Sequence, residues 1–112
     1  MVHPTTPPKI SIIIPCWNAE AYIADAINSV LAQNYPNQEI IVVNDGSTDG
    51  SQAVIDDYKD TVTSITVSNG GANKARNIGL KESNGRYVMF LDADDYIEPP
   101  IVNGMTEQLE RT

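Results

Sequence analysis

The chain has 112 residues, 41% of them apolar, which suits one folded domain built on one core. Its formal charge of -8, from 15 acidic and 7 basic residues, argues against a nucleic-acid partner, because phosphate backbones require a dense lysine and arginine surface. A small anion remains admissible if a metal cation bridges it to an acidic site.

The opening stretch "MVHPTTPPK" lacks both the basic and the apolar region of a signal peptide. It reads as a frayed, proline-rich lead-in over residues 1–8, and His3 within it carries no functional weight. No apolar run approaches the roughly 18 residues that span a bilayer, so no membrane segment is expected and the expected compartment is the cytoplasm. "KISIIIP" (9–15) is a continuous β-branched run, the pattern of a strand buried on both faces. Cys16 follows it. As the only cysteine it excludes an internal disulfide and a cysteine-based zinc site, and it reads as a small residue packed beside a strand end.

"EAYIADAINSVLAQ" (20–33) carries Ile23, Ile27, Val30 and Leu31 at helical spacing, and Pro36 stops that helix. "EIIVVN" (39–44) is a second buried strand and "GSQAVIDDYKD" (50–60) a second helix. "TVTSITVS" (61–68) alternates, as a strand near the sheet edge does. "ANKARNIGLKES" (72–83) is a third helix ended by Gly85, "RYVMFLDA" (86–93) a fourth strand, and another helix begins at Pro99. Strands alternating with helices imply right-handed βαβ units. The expected fold is therefore α/β: a Rossmann-like three-layer α/β/α sandwich on a parallel sheet of about four strands in the order 3-2-1-4.

Ligands of such sheets bind beyond the carboxyl ends of the strands, where the strand order reverses. In the order 3-2-1-4 the loops "PCWNAE", "NDGSTDG" and "DADDYIE" converge there, and all three carry acids. If Asp92 and Asp94 share one face of an extended strand, their Cα atoms lie about 6–7 Å apart. Two like charges at that range cost on the order of 3 kcal/mol at an effective dielectric near 20, and a divalent cation reverses the sign. Oxygen ligands suit magnesium or manganese, which retain waters and accept phosphate oxygens. The plainer alternative, that Asp94 or Asp95 caps a following helix while the others are solvated, stays open.

An EF-hand fails in "DADDYIEPPIVN", which lacks the central glycine and the last carboxylate. It fails in "DGSTDGSQAVID" because that loop leaves a strand rather than a helix. Asp45 stands at a strand end, where it can accept a hydrogen bond from a ligand, and Asp49 reads as the cap of the second helix. "SNGGANKARNIG" matches neither a P-loop nor a dinucleotide fingerprint. Arg76 there either faces the crevice or belongs to a solvated helix face, the reading preferred for Lys81 and Arg86. Trp17 can lie along a flat base or pack on the first helix, and packing is the preferred reading.

Taken in order, "SIIIPCWNAEAYIADAINSVLAQNYPNQEIIVVNDGSTDGS", "NGGANKARNIGL" and "GRYVMFLDADD" resemble the amino-terminal half of an inverting family-2 glycosyltransferase of GT-A fold, over about residues 10–98. The resemblance implies an enzyme that binds a nucleoside-diphosphate sugar, with UDP-sugar the expected donor, through Mn2+ or Mg2+. It places Pro15 to Glu20 along the nucleotide pocket, with Trp17 and Asn18 inside that segment and Glu20 near the base or ribose. Asp45 would bond the base, Arg76 would hold the nucleotide side, Asp92 would contact ribose or metal, and Asp94 would ligate the metal.

Trp17 stands where the family usually shows tyrosine, and Asn44 where it commonly shows a first aspartate. Such enzymes carry the general base downstream of D-x-D. Glu107 and Glu110 fit an ordinary helix face, so no catalytic residue is assigned. The expectation is a truncated donor-binding half over 9–112 that transfers little sugar alone and dimerises through an uncovered fourth strand.

Rival readings discriminate cleanly. A nucleotidylyltransferase needs a glycine-rich basic loop after strand one. A receiver domain needs its acidic pair there and a lysine after its last strand. A non-catalytic nucleotide-binding or assembly module is the serious alternative, and nucleotide titration with and without metal separates it.

Overall fold

A strand buried on both faces must also satisfy its backbone on both edges, and this requirement sets the architecture. In a computed structural model, described here for residues 7–95 and 97, β1 (Ile10–Cys16) is buried at all seven positions. It runs parallel to β2 (Gln38–Asp45) on one side and to β4 (Tyr87–Phe90) on the other. β3 (Thr63–Val67) pairs with the far edge of β2, giving the order β3-β2-β1-β4. The parallel sheet and its order are those expected from the sequence, and β3 sits at an edge, as its alternation implies. The helix expected from Pro99, with Glu107 and Glu110, lies outside the described residues, as do lead-in residues 1–6 with His3. Pro7 and Pro8 are tied to the domain by their carbonyls, which accept from Asn37 Nδ2 and Tyr35 Oη.

The period of two divides each strand between two cores. Ile10, Ile12 and Ile14, with Ile40 and Val42, meet Ile23, Ala26, Ile27 and Val30 of α1 (Ile23–Leu31) and Ile55 of α2 (Ser51–Asp56). Ile13, Ile41 and Val43 face the opposite layer, where Ala75 of α3 (Ala72–Glu82) packs on them. α3 comes so close that a Cβ on Gly79 would lie 2.4 Å from Ile13 Cγ2. A missing side chain is what permits that approach.

Several elements are shorter than the sequence suggests. α1 begins at Ile23 rather than residue 20, because the Ala19 carbonyl takes both Tyr22 and Ile23 N–H in an opening turn. Asn34 then takes a left-handed φ of 53° beyond its end. α2 stops at Asp56, and turns carry the chain through Val62. β4 stops at Phe90, three residues before the expected end, because residues 92–95 form a turn closed by Asp95 N–H on the Asp92 carbonyl, 2.9 Å. Aspartate favours the first position of such turns. Asp92 and Asp94 therefore do not share the face of an extended strand.

At the opposite end of the sheet, Ser11 Oγ donates to Glu39 Oε2 at 2.6 Å and accepts Gly85 N–H at 2.8 Å, while Asn84 N–H also bonds Glu39 Oε2. Burial pushes the Glu39 carboxyl up, but the Ser11 hydroxyl, the Asn84 amide and Lys9 outweigh it and hold it below its ordinary 4.5.

Two measurements check this packing. Gly79→Ala should destabilise the fold by about 1–3 kcal/mol in urea unfolding, because the helix must back away from Ile13. A depressed carboxyl contributes stability that is complete above its unfolded value and is lost as pH falls through the folded one. Stability should therefore decline below about pH 4.5, and Ser11→Ala, which weakens that depression, should flatten the decline.

Candidate functional site

Pro15 starts the site by what it lacks. Ile13 O accepts Leu91 N–H at 3.0 Å, so residues 13 and 15 both aim their backbone groups toward β4. Paired β4 residues end at Phe90, opposite Ile13, so proline's missing N–H falls where its neighbour has already turned away. The sheet opens there, at the reversal of strand order.

Two hollows flank this opening. One, of about 320 Å³, is lined by Pro15, Cys16, Trp17, Asp45, Asn69, Gly71 and Ala72. The other, of about 240 Å³, is lined by Pro15, Trp17, Asn18, Ala19, Tyr22, Ala93 and Asp94. Pro15 and Trp17 belong to both. Trp17 is 57% exposed, so the packed position preferred for it on sequence grounds is not the one it takes. Asn18 has a left-handed φ of 48°, which turns the chain outward beside it.

That conformation is clamped by the loop after β2. Asn18 N–H donates to Ser47 Oγ (3.0 Å), and Asn18 Oδ1 accepts Thr48 N–H (2.7 Å). Ala19 N–H donates to Ser51 Oγ and Glu20 N–H to Asp49 Oδ2. Asp49 Oδ1 takes Ser51 N–H and its hydroxyl, so Asp49 satisfies the start of α2 from one residue outside the flanking Gly50. The Ser51 hydroxyl holds the Asp49 carboxyl below its ordinary 3.8. Burial pushes the neighbouring Cys16 thiol up.

Asp45, 3% exposed, has both carboxylate oxygens in use. Its two oxygens accept Gly70 N–H (2.9 Å) and Gly71 N–H (3.0 Å), and its carbonyl accepts Asn69 Nδ2. The loop after β3 is thus strapped across the end of β2. Gly46 and Gly71, at φ of 70° and 97°, supply the backbone shapes this needs.

The acids after β4 divide. Arg76 Nη2 lies 3.4 Å from Asp92 Oδ1 while its Nη1 bonds Asn73 Oδ1. Asp94 is exposed, and among the described residues its carboxylate has no hydrogen bond or ion pair. The structure therefore brings Pro15, Trp17, Asn18, Asp45 and Asp94 around the two hollows and pairs Arg76 with Asp92 beside Ala93. Glu20 lines neither hollow; its carboxylate lies where a Cβ on Gly50 would stand. Asn69 and Tyr22 line the hollows without having stood out in the sequence. The "SNGG" turn signal marks the first, and nothing local marks the second.

Among the described residues no three histidine, cysteine or acidic side chains converge into a cage for a metal. Two exposed carboxylates on one turn fit a hard dication that draws its other ligands from water and phosphate.

A model of Glycosyl transferase family 2 matches residues 11–112. The chain belongs to that family. It is 40% identical over 107 residues to the uncharacterized glycosyltransferase EpsJ of Bacillus subtilis, covering 93% of this chain and 31% of EpsJ. It is 38% identical over 104 residues to the glycosyltransferase GlyA of Streptococcus pneumoniae, covering 90% of this chain and 15% of GlyA. The chain thus spans a third or less of these relatives. The crystal structure of S. aureus TarS 1-349 in complex with UDP-GlcNAc superposes with a TM-score of 0.86 at 33% identity, over 92% of this chain and 31% of that one. Mannosyltransferase PcManGT from Pyrobaculum calidifontis, in complex with GDP-Man and Mn2+, gives 0.82 at 26%, over 92% and 33%. The fold is the GT-A arrangement. Among the described residues no helix is long and apolar enough to cross a membrane.

Asp45→Asn keeps the shape but replaces one acceptor oxygen with an NH2 facing a backbone N–H. It should cost about 1.5–3 kcal/mol of stability, the range for hydrogen bonds to charged groups, as measured by urea unfolding.

Proposed function

We propose that this chain forms the donor-binding half of a glycosyltransferase and takes a nucleoside-diphosphate sugar, a UDP-sugar in the first instance. The base and ribose occupy the hollow between Trp17, Asp45 and Asn69, and the diphosphate extends past Trp17 toward Asp94. The observation that carries this reading is the junction of the two hollows at Pro15 and Trp17, which joins an aromatic-walled slot to a carboxylate-bearing turn. Solved relatives bound to UDP-GlcNAc, and to GDP-Man with Mn2+, support it.

The chemistry asked of each group follows. Trp17 offers an aromatic face to the base, and stacking of this kind is worth about 1–3 kcal/mol per base in nucleic-acid complexes. Asp45, already holding Gly70 and Gly71, keeps the slot open at a fixed width. Asp94, with Asp92 beside it, would hold Mn2+ or Mg2+, which when bound supplies Lewis-acid stabilisation of the departing nucleoside diphosphate. Arg76 positions Asp92 and offsets its charge. Inverting transfer also requires a base to deprotonate the acceptor hydroxyl, and none is assigned among the described residues.

Trp17 is the only tryptophan, so its emission reports on this slot. Titration with UDP should quench or shift it, with a tighter Kd in Mn2+ than in EDTA. Asp94→Asn should weaken binding in Mn2+ by at least about tenfold, the cost of losing even an outer-shell partner, and leave the EDTA value unchanged. Absence of UDP binding under both conditions would end the proposal.

A further inference from the structure

Two polar side chains at the end of α1 take no part in either hollow, yet one is deeply buried. Gln33 is 4% exposed, and a buried amide is costly unless its donors are used. Its Nε2 donates to the carbonyl of Ile97 (3.3 Å) and, more weakly, to that of Ser29 (3.5 Å). Ser29 Oγ accepts Ile97 N–H at 3.0 Å and donates to the Ala26 carbonyl at 2.7 Å. Both backbone groups of Ile97, itself 5% exposed, are therefore gripped from the last turn of α1 and the turn just after it, more than sixty residues away in sequence.

The position of Ile97 gives this grip its meaning. Upstream, Leu91 is pinned to β1 through Ile13 O. Downstream, Ile97 is pinned to Ser29 of α1 and to Gln33 just beyond it. Between them lies the turn that carries Asp92 and Asp94. A short segment fixed at both ends samples few conformations, so the ordering cost of presenting its carboxylates is met in folding rather than on binding.

We propose that Ser29 and Gln33 are positioning residues for Asp94, holding the acidic turn in its binding geometry from behind. The proposal rests on the reading of Asp94 as the diphosphate-side carboxylate. Releasing the anchor lowers the fraction of molecules with the turn in place, and the apparent affinity falls by that fraction.

Ser29→Ala and Gln33→Leu, each with UDP titrated against Trp17 emission in Mn2+ and in EDTA, test it. Binding in Mn2+ should weaken about tenfold, the scale of outer-shell losses, while binding in EDTA stays within about twofold of the unaltered chain. Ser29→Thr, which keeps the hydroxyl, should keep the Mn2+ gain. A lowered Tm with the Mn2+ gain intact in both variants would overturn the anchor alone. No Mn2+ gain in the unaltered chain would overturn the donor-site reading and this proposal with it. If neither variant folds, amide hydrogen exchange on the unaltered chain decides. Joint protection of Asp95 and Ile97 supports the anchor, and exchange of Ile97 at an unprotected rate overturns it.

Discussion

β1 is hydrogen-bonded to a neighbour on each side, buried on each face, and interrupted at one place by Pro15. The pairing on the β2 side runs through Cys16, whereas on the β4 side the paired residues stop at Ile13. Both hollows open beside that asymmetry, and both use Pro15 as a wall. A strand with a full ladder on both edges would close the sheet at the point where its order reverses. Proline keeps it open without leaving a buried N–H unpaired.

The loops above this opening are held by each other more than by the sheet. Asn18, Ala19 and Glu20 each lean through a backbone N–H on a side chain of residues 47–51. The loop after β3 leans on Asp45. Short polar side chains bonding nearby backbone make compact, specific loops and need no hydrophobic cover. The price is that most acids here are already engaged. Asp49 serves α2, Asp45 serves Gly70 and Gly71, and Asp92 faces Arg76. An acid-rich loop set is thus largely self-satisfied, and among the described residues the carboxylates of Asp94 and Glu20 have no hydrogen bond or ion pair.

Elements formed from contiguous signals were legible in the sequence, and contacts between distant loops were not. The runs "SIII" and "IIVV" could only be buried parallel strands, and the alternation of "TVTSITV" set β3 at an edge. "YVMFL" continues apolar into "DA" and so suggests a longer β4, whereas the end is decided by a turn whose closing bond depends on three-dimensional closure, Asp95 on Asp92. Asp45, Pro15 and Trp17 lie at or just past strand ends, as their place in the sequence implies, and Asp94 follows the fourth strand by a turn. That Asp45 grips two glycines 25 and 26 residues away has no local signature. Neither has Glu20's turn toward Gly50, nor the hold of Ser29 and Gln33 on Ile97.

Charge constrains what this arrangement can accept. The chain carries -8 overall, and a diphosphate brings further negative charge toward Asp94 and Asp92. Among the described residues Arg76 pairs with Asp92, and its guanidinium is divided between Asp92 and Asn73. At an effective dielectric near 20, two unit charges about 4 Å apart interact by about 4 kcal/mol, so several unscreened negative groups would repel the ligand by more than stacking on Trp17 could recover. Binding on the proposed reading therefore needs a cation delivered with the ligand rather than built into the fold. Two exposed carboxylates, one of them without a partner among the described residues, on a turn secured at both ends are suited to a dication whose remaining ligands are phosphate oxygens and water.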